Sequence, residues 1–193
     1  MKLFLVDMTP NMVAAWKEQF KDCPDVVIHH GSIFDIKDQC QCFVSPANSW
    51  GWMNGGIDLR YSEFFGWDLQ RRLQELLKNK HQGELLIGQA EILPTGHSQV
   101  THLISAPTMR VPETLVDSAN AFLASRAALK VAKEAKLSSV AFPGMGTGVG
   151  RLPVRICAKQ MRAAYDEVIL GKIPQYRSLS EACAAHYDLV SDN

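Results

Sequence analysis

Two stretches of this 193-residue chain carry the residue types and spacing for ligand chemistry. The first is Ser45-Pro46-Ala47-Asn48, followed closely by Gly55-Gly56-Ile57-Asp58. The second is Phe142-Pro143-Gly144-Met145-Gly146-Thr147-Gly148-Val149-Gly150. Each begins as a β-branched or aromatic run and ends in small residues, so each reads as a strand entering a loop. Glycines at alternate positions let successive N–H groups turn toward one anion and remove the side chains that would block it. Pro153 sits where a first-turn helical proline belongs, and the positive end of that helix adds to the attraction. Asn48 can both donate to and accept from hydroxyls, and Asp58 completes a polar pair beside the glycines. The pattern points to a phosphate-bearing small molecule and to a reaction on it.

Several alternatives are disfavoured by the same residues. The glycine loop ends in Arg151 and lacks Gly-Lys-Ser/Thr, so it is no Walker A loop. It also fails G-x-G-x-x-G, which argues against a nicotinamide-binding Rossmann site. Asp58 taken alone reads as the N-cap of a helix entering at Leu59. It becomes a candidate catalytic group because Asn48 and two glycines share its loop. Cys40 and Cys42 form C-x-C with no second pair at metal spacing, so no metal is expected, and no cofactor. His29 and His30 face opposite ways on a strand and are given no catalytic role, nor is His102.

Composition sets the frame. The chain is 47% hydrophobic with zero formal net charge, enough for one substantial core. A single domain over residues 1–193 is expected. Charge balance argues against nucleic acid as the partner, because phosphate neutralisation supplies much of such affinity. No apolar run approaches the roughly 20 residues of a membrane span. The cysteines read as buried thiols of a reducing cytoplasm, and a monomer is expected.

The elements that must position these loops follow from periodicity. Leu3–Val6, Val26–His30, Phe43–Ser45, 90–94, 101–105 and Ser139–Phe142 read as strands. Helical spacing appears from Met12 to Phe20, from Asp68 to Leu77, from Leu115 to about Lys136, behind Pro153, and from Leu179 to Tyr187. Alternation of strands and helices predicts an α/β fold with helices on both faces of a sheet. Ligands in such folds sit beyond the carboxyl ends of the strands, where both loops can converge.

In order and spacing these motifs resemble the macro domain, the ADP-ribose-binding module. Val44-Ser45-Pro46-Ala47-Asn48 resembles V-N-A-A-N, and Gly55-Gly56-Ile57-Asp58 resembles G-G-V-D. Phe142 to Val149 is similar to F-P-x-I-S-T-G-V/I, and Gly31-Ser32-Ile33-Phe34 stands where the family has G-D-I-T. Gly88-Gln89-Ala90 and the strand ending at Pro107 also match in order. The resemblance covers about residues 26 to 170. It implies a three-layer α/β/α sandwich around a mixed, mostly parallel sheet. It implies a ligand site of Ser32, Ile33, Asp35, Ala47, Asn48, Gly55, Gly56, Ile57 and residues 144–150 (Gly144, Met145, Gly146, Thr147, Gly148, Val149, Gly150). Pyrophosphate would lie between the two loops and the distal ribose near Asn48 and Asp58, the expected catalytic pair. The partner implied is ADP-ribose or an ADP-ribosylated substrate. The activity would be hydrolysis of an ADP-ribosyl linkage or removal of a 1″-substituent, phosphate included; the alternative is a reader without turnover. The chain departs from the family at Ser32, which replaces the aspartate that accepts from the adenine amino group; Asp35 is the nearest substitute. Met53-Asn54 fills a place that is often glycine in hydrolytic members. Gly150 stands where many carry an aromatic lid, leaving Trp50 and Trp52 either to close the site or to pack.

Overall fold

The computed structural model describes residues 1–192. Six strands form one sheet: β1 (Lys2–Asp7), β2 (Val26–His30), β3 (Cys42–Ser45), β4 (Glu91–Pro94), β5 (His102–Ser105) and β6 (Ser139–Phe142). Their order is β2-β1-β6-β3-β5-β4. All neighbours run parallel except β4, which lies antiparallel on β5. This is the mixed, mostly parallel sheet that the macro-domain resemblance implies.

Both faces of the sheet are buried, and the strand sequences show why. On β3, Cys42 and Val44 enter one core while Phe43 enters the other. On β1, Leu3 and Leu5 oppose Phe4 and Val6 in the same way. Alternate side chains point to opposite faces, and both sets are apolar, as parallel strands covered by helices require. One face is covered by α1 (Pro10–Gln19), α4 (Asn120–Glu134) and α5 (Val154–Val168) through Trp16, Ala124, Ala128 and Met161. The other is covered by α2 (Gly56–Phe65) and α3 (Asp68–His81), with Tyr61, Leu69, Leu73 and Leu77 facing the strands. A last helix, α6 (Leu179–Val190), rests on α5, where Lys159 Nζ and Gln160 Nε2 donate to the carbonyls of Asp188 and Leu189. Among the described residues no helix is long and apolar enough to cross a membrane.

Three boundaries differ from the sequence reading, and each has a local cause. The helix expected from Leu115 begins only at Asn120, because Asp117 adopts a left-handed conformation with φ 66° and breaks the run. Leu115 instead turns inward ahead of the helix. A helix begins at Gly56 rather than after Asp58; Gly55 occupies the cap and Asp58 lies in the first turn. Pro153 is the residue before α5, in extended conformation, rather than its first turn.

An aromatic layer packs under α2. Phe43 is fully buried, with the rings of Phe34, Tyr61 and Phe65 centred 6.0, 6.0 and 6.1 Å away. We expect Phe43→Ala to lower unfolding stability by about 3–5 kcal/mol, the range for emptying a buried aromatic site. Chemical denaturation checks this, and a loss below about 1 kcal/mol would contradict the packing described.

Candidate functional site

The carboxyl ends of β1, β3, β5 and β6 open onto a cavity of about 450 Å³. Residues 55–58 form one side, Gly144 and residues 146–150 the other, and Ala47 and Asn48 line it as well. No lysine, arginine or histidine lines it. Any anion held here must therefore be held by neutral donors: backbone amides, helix termini and side chains such as Thr147 and Asn54.

Those amides are available. Within the described residues, the N–H groups of Gly56, Ile57 and Asp58 make no hydrogen bond, as expected for the first turn of α2. The same is true of Gly146, Gly148, Val149 and Gly150. Two sets of unpaired donors thus flank one space, and the positive end of the α2 dipole points the same way.

The four alternating glycines have different physical reasons. A Cβ at Gly144 would sit 2.5 Å from Thr147 Oγ1 and 2.9 Å from Asp7 Oδ2. At Gly150 it would sit 2.5 Å from the Gly146 carbonyl oxygen and 2.7 Å from Leu115 Cδ1. Gly146 has φ 78°, and its Cβ would meet Leu115 Cδ1 at 2.8 Å. Leu115 thus grips the loop, and its N–H donates to the Gly150 carbonyl at 2.7 Å. Only Gly148 faces open space. Three of the four glycines serve close packing within the protein; the loop is held in shape from behind.

Asp58 is buried, 7% exposed, and Ser45 Oγ donates to its Oδ1. Burial disfavours the charged form and pushes its pKa up to about 7, a rise that the Ser45 hydrogen bond partly opposes. A carboxyl titrating near neutrality can give or take a proton under ordinary conditions. Below it Tyr61 Oη donates to the Val44 carbonyl at 3.0 Å, and Ser62 Oγ to the Met53 carbonyl at 2.8 Å. Met53 N–H donates in turn to Gln70 Oε1 at 2.7 Å, so the Met53-Asn54 corner is tied to both α2 and α3.

Asn48 has more local work than its sequence position implied. Its Oδ1 accepts from the N–H groups of Trp50 and Trp52 at 3.1 and 3.2 Å, and its Nδ2 donates to the Trp52 carbonyl at 2.8 Å. It clamps the loop that carries Trp52, whose half-exposed indole lines the cavity. The two tryptophans part company here: Trp50 packs under the Arg110 guanidinium, 5.1 Å from its ring, and does not line the cavity.

Four of the expected ligand residues lie outside the cavity wall. Ser32 and Asp35 form a reciprocal cap on the short 3-10 turn Ile33–Ile36: Asp35 Oδ2 accepts from Ser32 N–H at 2.8 Å, and Ser32 Oγ accepts from Phe34 N–H at 3.3 Å. His29 Nε2 also lies 3.3 Å from Asp35 Oδ2. Ile33 is buried in the α2-side core, and Met145 is buried with its carbonyl accepting from Cys157 Sγ at 3.3 Å. In their place the cavity wall includes Asp7, Thr9, Met12 and Thr108, which the sequence reading had not singled out. Asp7 ends the first strand. Only the insertion of β1 between β2 and β6 carries it next to the glycine loop, and no local pattern announces that.

Two outcomes follow. Gly150→Ala should destabilise the fold by about 1–3 kcal/mol through overpacking, whereas Gly148→Ala should stay within about 0.5 kcal/mol of wild type. Equal melting behaviour of the two variants would contradict the packing role of Leu115. For Asp58, the unfolded carboxyl ionises near 3.8 and the folded one near 7. Between those values the folded state retains a proton that the unfolded state has lost, so the stability contributed by this group falls as pH rises and levels off above 7. Asp58→Asn keeps an acceptor for Ser45 and removes the titration. It should be stabilised over wild type at pH 8, by at most about 4 kcal/mol, with the gain vanishing toward pH 4. Melting curves across that range check it, and a pH-independent difference would contradict the burial effect.

Comparison with known proteins agrees with this geometry. The family model described as Macro domain matches residues 44–161. An uncharacterized protein of Aeropyrum pernix is 35% identical over 140 residues, covering 72% of this chain and 70% of that one. One of Aquifex aeolicus is 32% identical over 137 residues, covering 71% and 78%. Among solved structures, the macrodomain of Mycobacterium tuberculosis DarG is 25% identical with a TM-score of 0.59, covering 71% of this chain and 88% of that one. The Oceanobacillus iheyensis macrodomain, solved with ADP, shares the fold at 21% identity and a TM-score of 0.61, covering 81% and 85%. With the family match spanning more than half its length, this chain belongs to the macro domain family.

Proposed function

We propose that this protein binds ADP-ribose in the cavity between α2 and the glycine loop, and hydrolyses an ADP-ribosyl linkage or a 1″-substituent at the distal ribose. The observation that carries the reading is the placement of a near-neutral buried carboxyl, Asp58, within the same wall as two sets of unpaired amides. Membership of a family of ADP-ribose-binding modules supports it, as does a fold neighbour solved with ADPR.

In this reading the pyrophosphate bridges the amides of residues 56–58 and those around Gly148 and Gly150. The phosphates have no side-chain cation to neutralise them, so affinity rests on fixed dipoles held in place before the ligand arrives. Asn48 spends three of its hydrogen-bonding positions on Trp50 and Trp52 and keeps the second Nδ2 hydrogen for a ribose hydroxyl. Trp52 covers the mouth. Asp58 takes a proton from a water molecule as its oxygen bonds to the anomeric carbon. The bond from that carbon to the leaving oxygen breaks, and the proton passes to the leaving group. The nearby pyrophosphate raises the Asp58 pKa further by like-charge repulsion, which favours proton uptake.

A second reading, a non-catalytic reader of free or protein-linked ADP-ribose, is favoured by one observation. Asp58 is 7% exposed, one of its oxygens already accepts from Ser45, and the adjoining corner is pinned through Met53. Release of ADP-ribose from a protein modified on aspartate or glutamate separates the two readings. The hydrolytic reading predicts turnover that falls about 100-fold or more in Asp58→Ala, with ADP-ribose affinity by calorimetry kept within a few-fold. Unchanged turnover in the variant would falsify the role of Asp58, and no heat of binding to the folded wild-type protein would overturn the ligand.

A further inference from the structure

Gln160, on α5, is a fully buried polar side chain that lies outside the cavity wall. Its amide is bonded on both sides. Nε2 donates to the Ser118 carbonyl at 2.6 Å and to the Leu189 carbonyl of α6 at 3.4 Å, and Oε1 accepts from Phe122 N–H at 3.1 Å. Two of these contacts end on the segment that enters α4. The cap residue of that helix is Ala119, which has no side-chain acceptor to offer. The Phe122 N–H, in the first turn, is met instead by Gln160 from another helix.

From Ser118 the connection runs on to the glycine loop. Ser118 N–H donates to the Leu115 carbonyl at 3.2 Å, and Leu115 N–H donates to the Gly150 carbonyl at 2.7 Å. The Leu115 side chain fills the space against Gly146 and Gly150. A second branch leaves the start of α4: Asn120 Nδ2 donates to the Thr108 carbonyl at 2.9 Å, and Thr108 lines the cavity. Residues 115–119 form no helix or strand, so no ladder of their own fixes Leu115. The buried amide of Gln160 supplies the anchor. Breaking it deprives a carbonyl and an N–H of their partner, which makes such a bond costly to lose.

We propose that Gln160 is a positioning residue for the ligand site: through Ser118 and Leu115 it holds the glycine loop in the shape that presents the Gly148 and Gly150 amides to phosphate. The proposal rests on the ADP-ribose reading above and adds the support behind the loop. Donors fixed before binding gain affinity from being fixed, and a loose supporting layer forfeits it.

The test is calorimetry with ADP-ribose on wild type, Gln160→Met, Leu115→Ala and the double variant, with Leu129→Ala as a control. Methionine keeps the length of the side chain and removes its hydrogen bonds. Leu129 is buried on α4 away from the cavity, so its truncation costs core stability without touching the loop. Gln160→Met should weaken binding about fivefold or more, while Leu129→Ala stays within about twofold of wild type. The double variant should bind about as Leu115→Ala does, because both changes act through one series of contacts. In the ligand-free protein, Gln160→Met should shift the amide resonances of Gly148 and Gly150 and leave those of Gly56 and Ile57 in place. Gln160→Asn keeps the amide on a shorter stem and guards against misfolding of the methionine variant; it should lose about threefold in affinity. Wild-type affinity in both Gln160 variants overturns the proposal, and so do loop resonances that stay in place. Losses that add in the double variant, or a loss in Leu129→Ala equal to that in Gln160→Met, overturn it as well. Wild-type protein that binds no ADP-ribose overturns the ligand reading instead, and the ligand-free loop resonances of the Gln160 variants still decide the positioning claim.

Discussion

Parallel pairing is the constraint on which the rest depends. Five parallel strands must end at the same edge of the sheet, and every loop that follows them is delivered to one side of the molecule. The loop after β3 runs beside the segment after β5, joined by Thr108 N–H to the Ala47 carbonyl at 3.1 Å and by Ser49 N–H to the Arg110 carbonyl at 3.3 Å. The loop after β6 closes the other side. Burial of both sheet faces sets that arrangement, so the cavity exists before any ligand does. The unpaired amides that line it are fixed by the fold, and such donors would lose little entropy on binding a ligand.

The same constraint explains the electrostatics. A carboxyl on the first turn of a helix would ordinarily be solvated and ionised, with the helix dipole favouring the charge. Here α2 packs down onto the sheet through Tyr61, and Asp58 goes down with it to meet Ser45 at the end of β3. Desolvation outweighs the single hydrogen bond, and the group titrates near neutrality. Asp7, at the end of β1, stays partly exposed and is held by two backbone donors. Two aspartates on one cavity wall therefore differ in burial: α2 covers Asp58, and Asp7 is left partly exposed.

Much of this was legible in the sequence. Short apolar and β-branched runs located the strands, and the small-residue loops after β3 and β6 marked the cavity. What was illegible arises where tertiary contact overrides local pattern. The glycine repeat looked like a row of anion contacts, yet at Gly144, Gly146 and Gly150 the absent side chain makes room for Thr147, Asp7 and Leu115. Leu115 belongs to the helical stripe by spacing, but the left-handed Asp117 releases it to pack behind the loop. Asn48 reads as a hydroxyl ligand, but in the folded loop its amide first ties down Trp50 and Trp52. Asp7 was invisible for a topological reason: a terminal strand can join any open position in a sheet, and its position between β2 and β6 is decided by packing across the whole chain.

The central claim is that two separate backbone segments converge on one phosphate-bearing ligand. Amide chemical-shift mapping by NMR during titration with ADP-ribose tests it most directly. The account predicts large, saturable shifts at both Gly56 to Asp58 and Gly146 to Gly150, with the exposed face around Lys130 and Glu134 unmoved. Shifts confined to one of the two segments, or centred away from both, would contradict it.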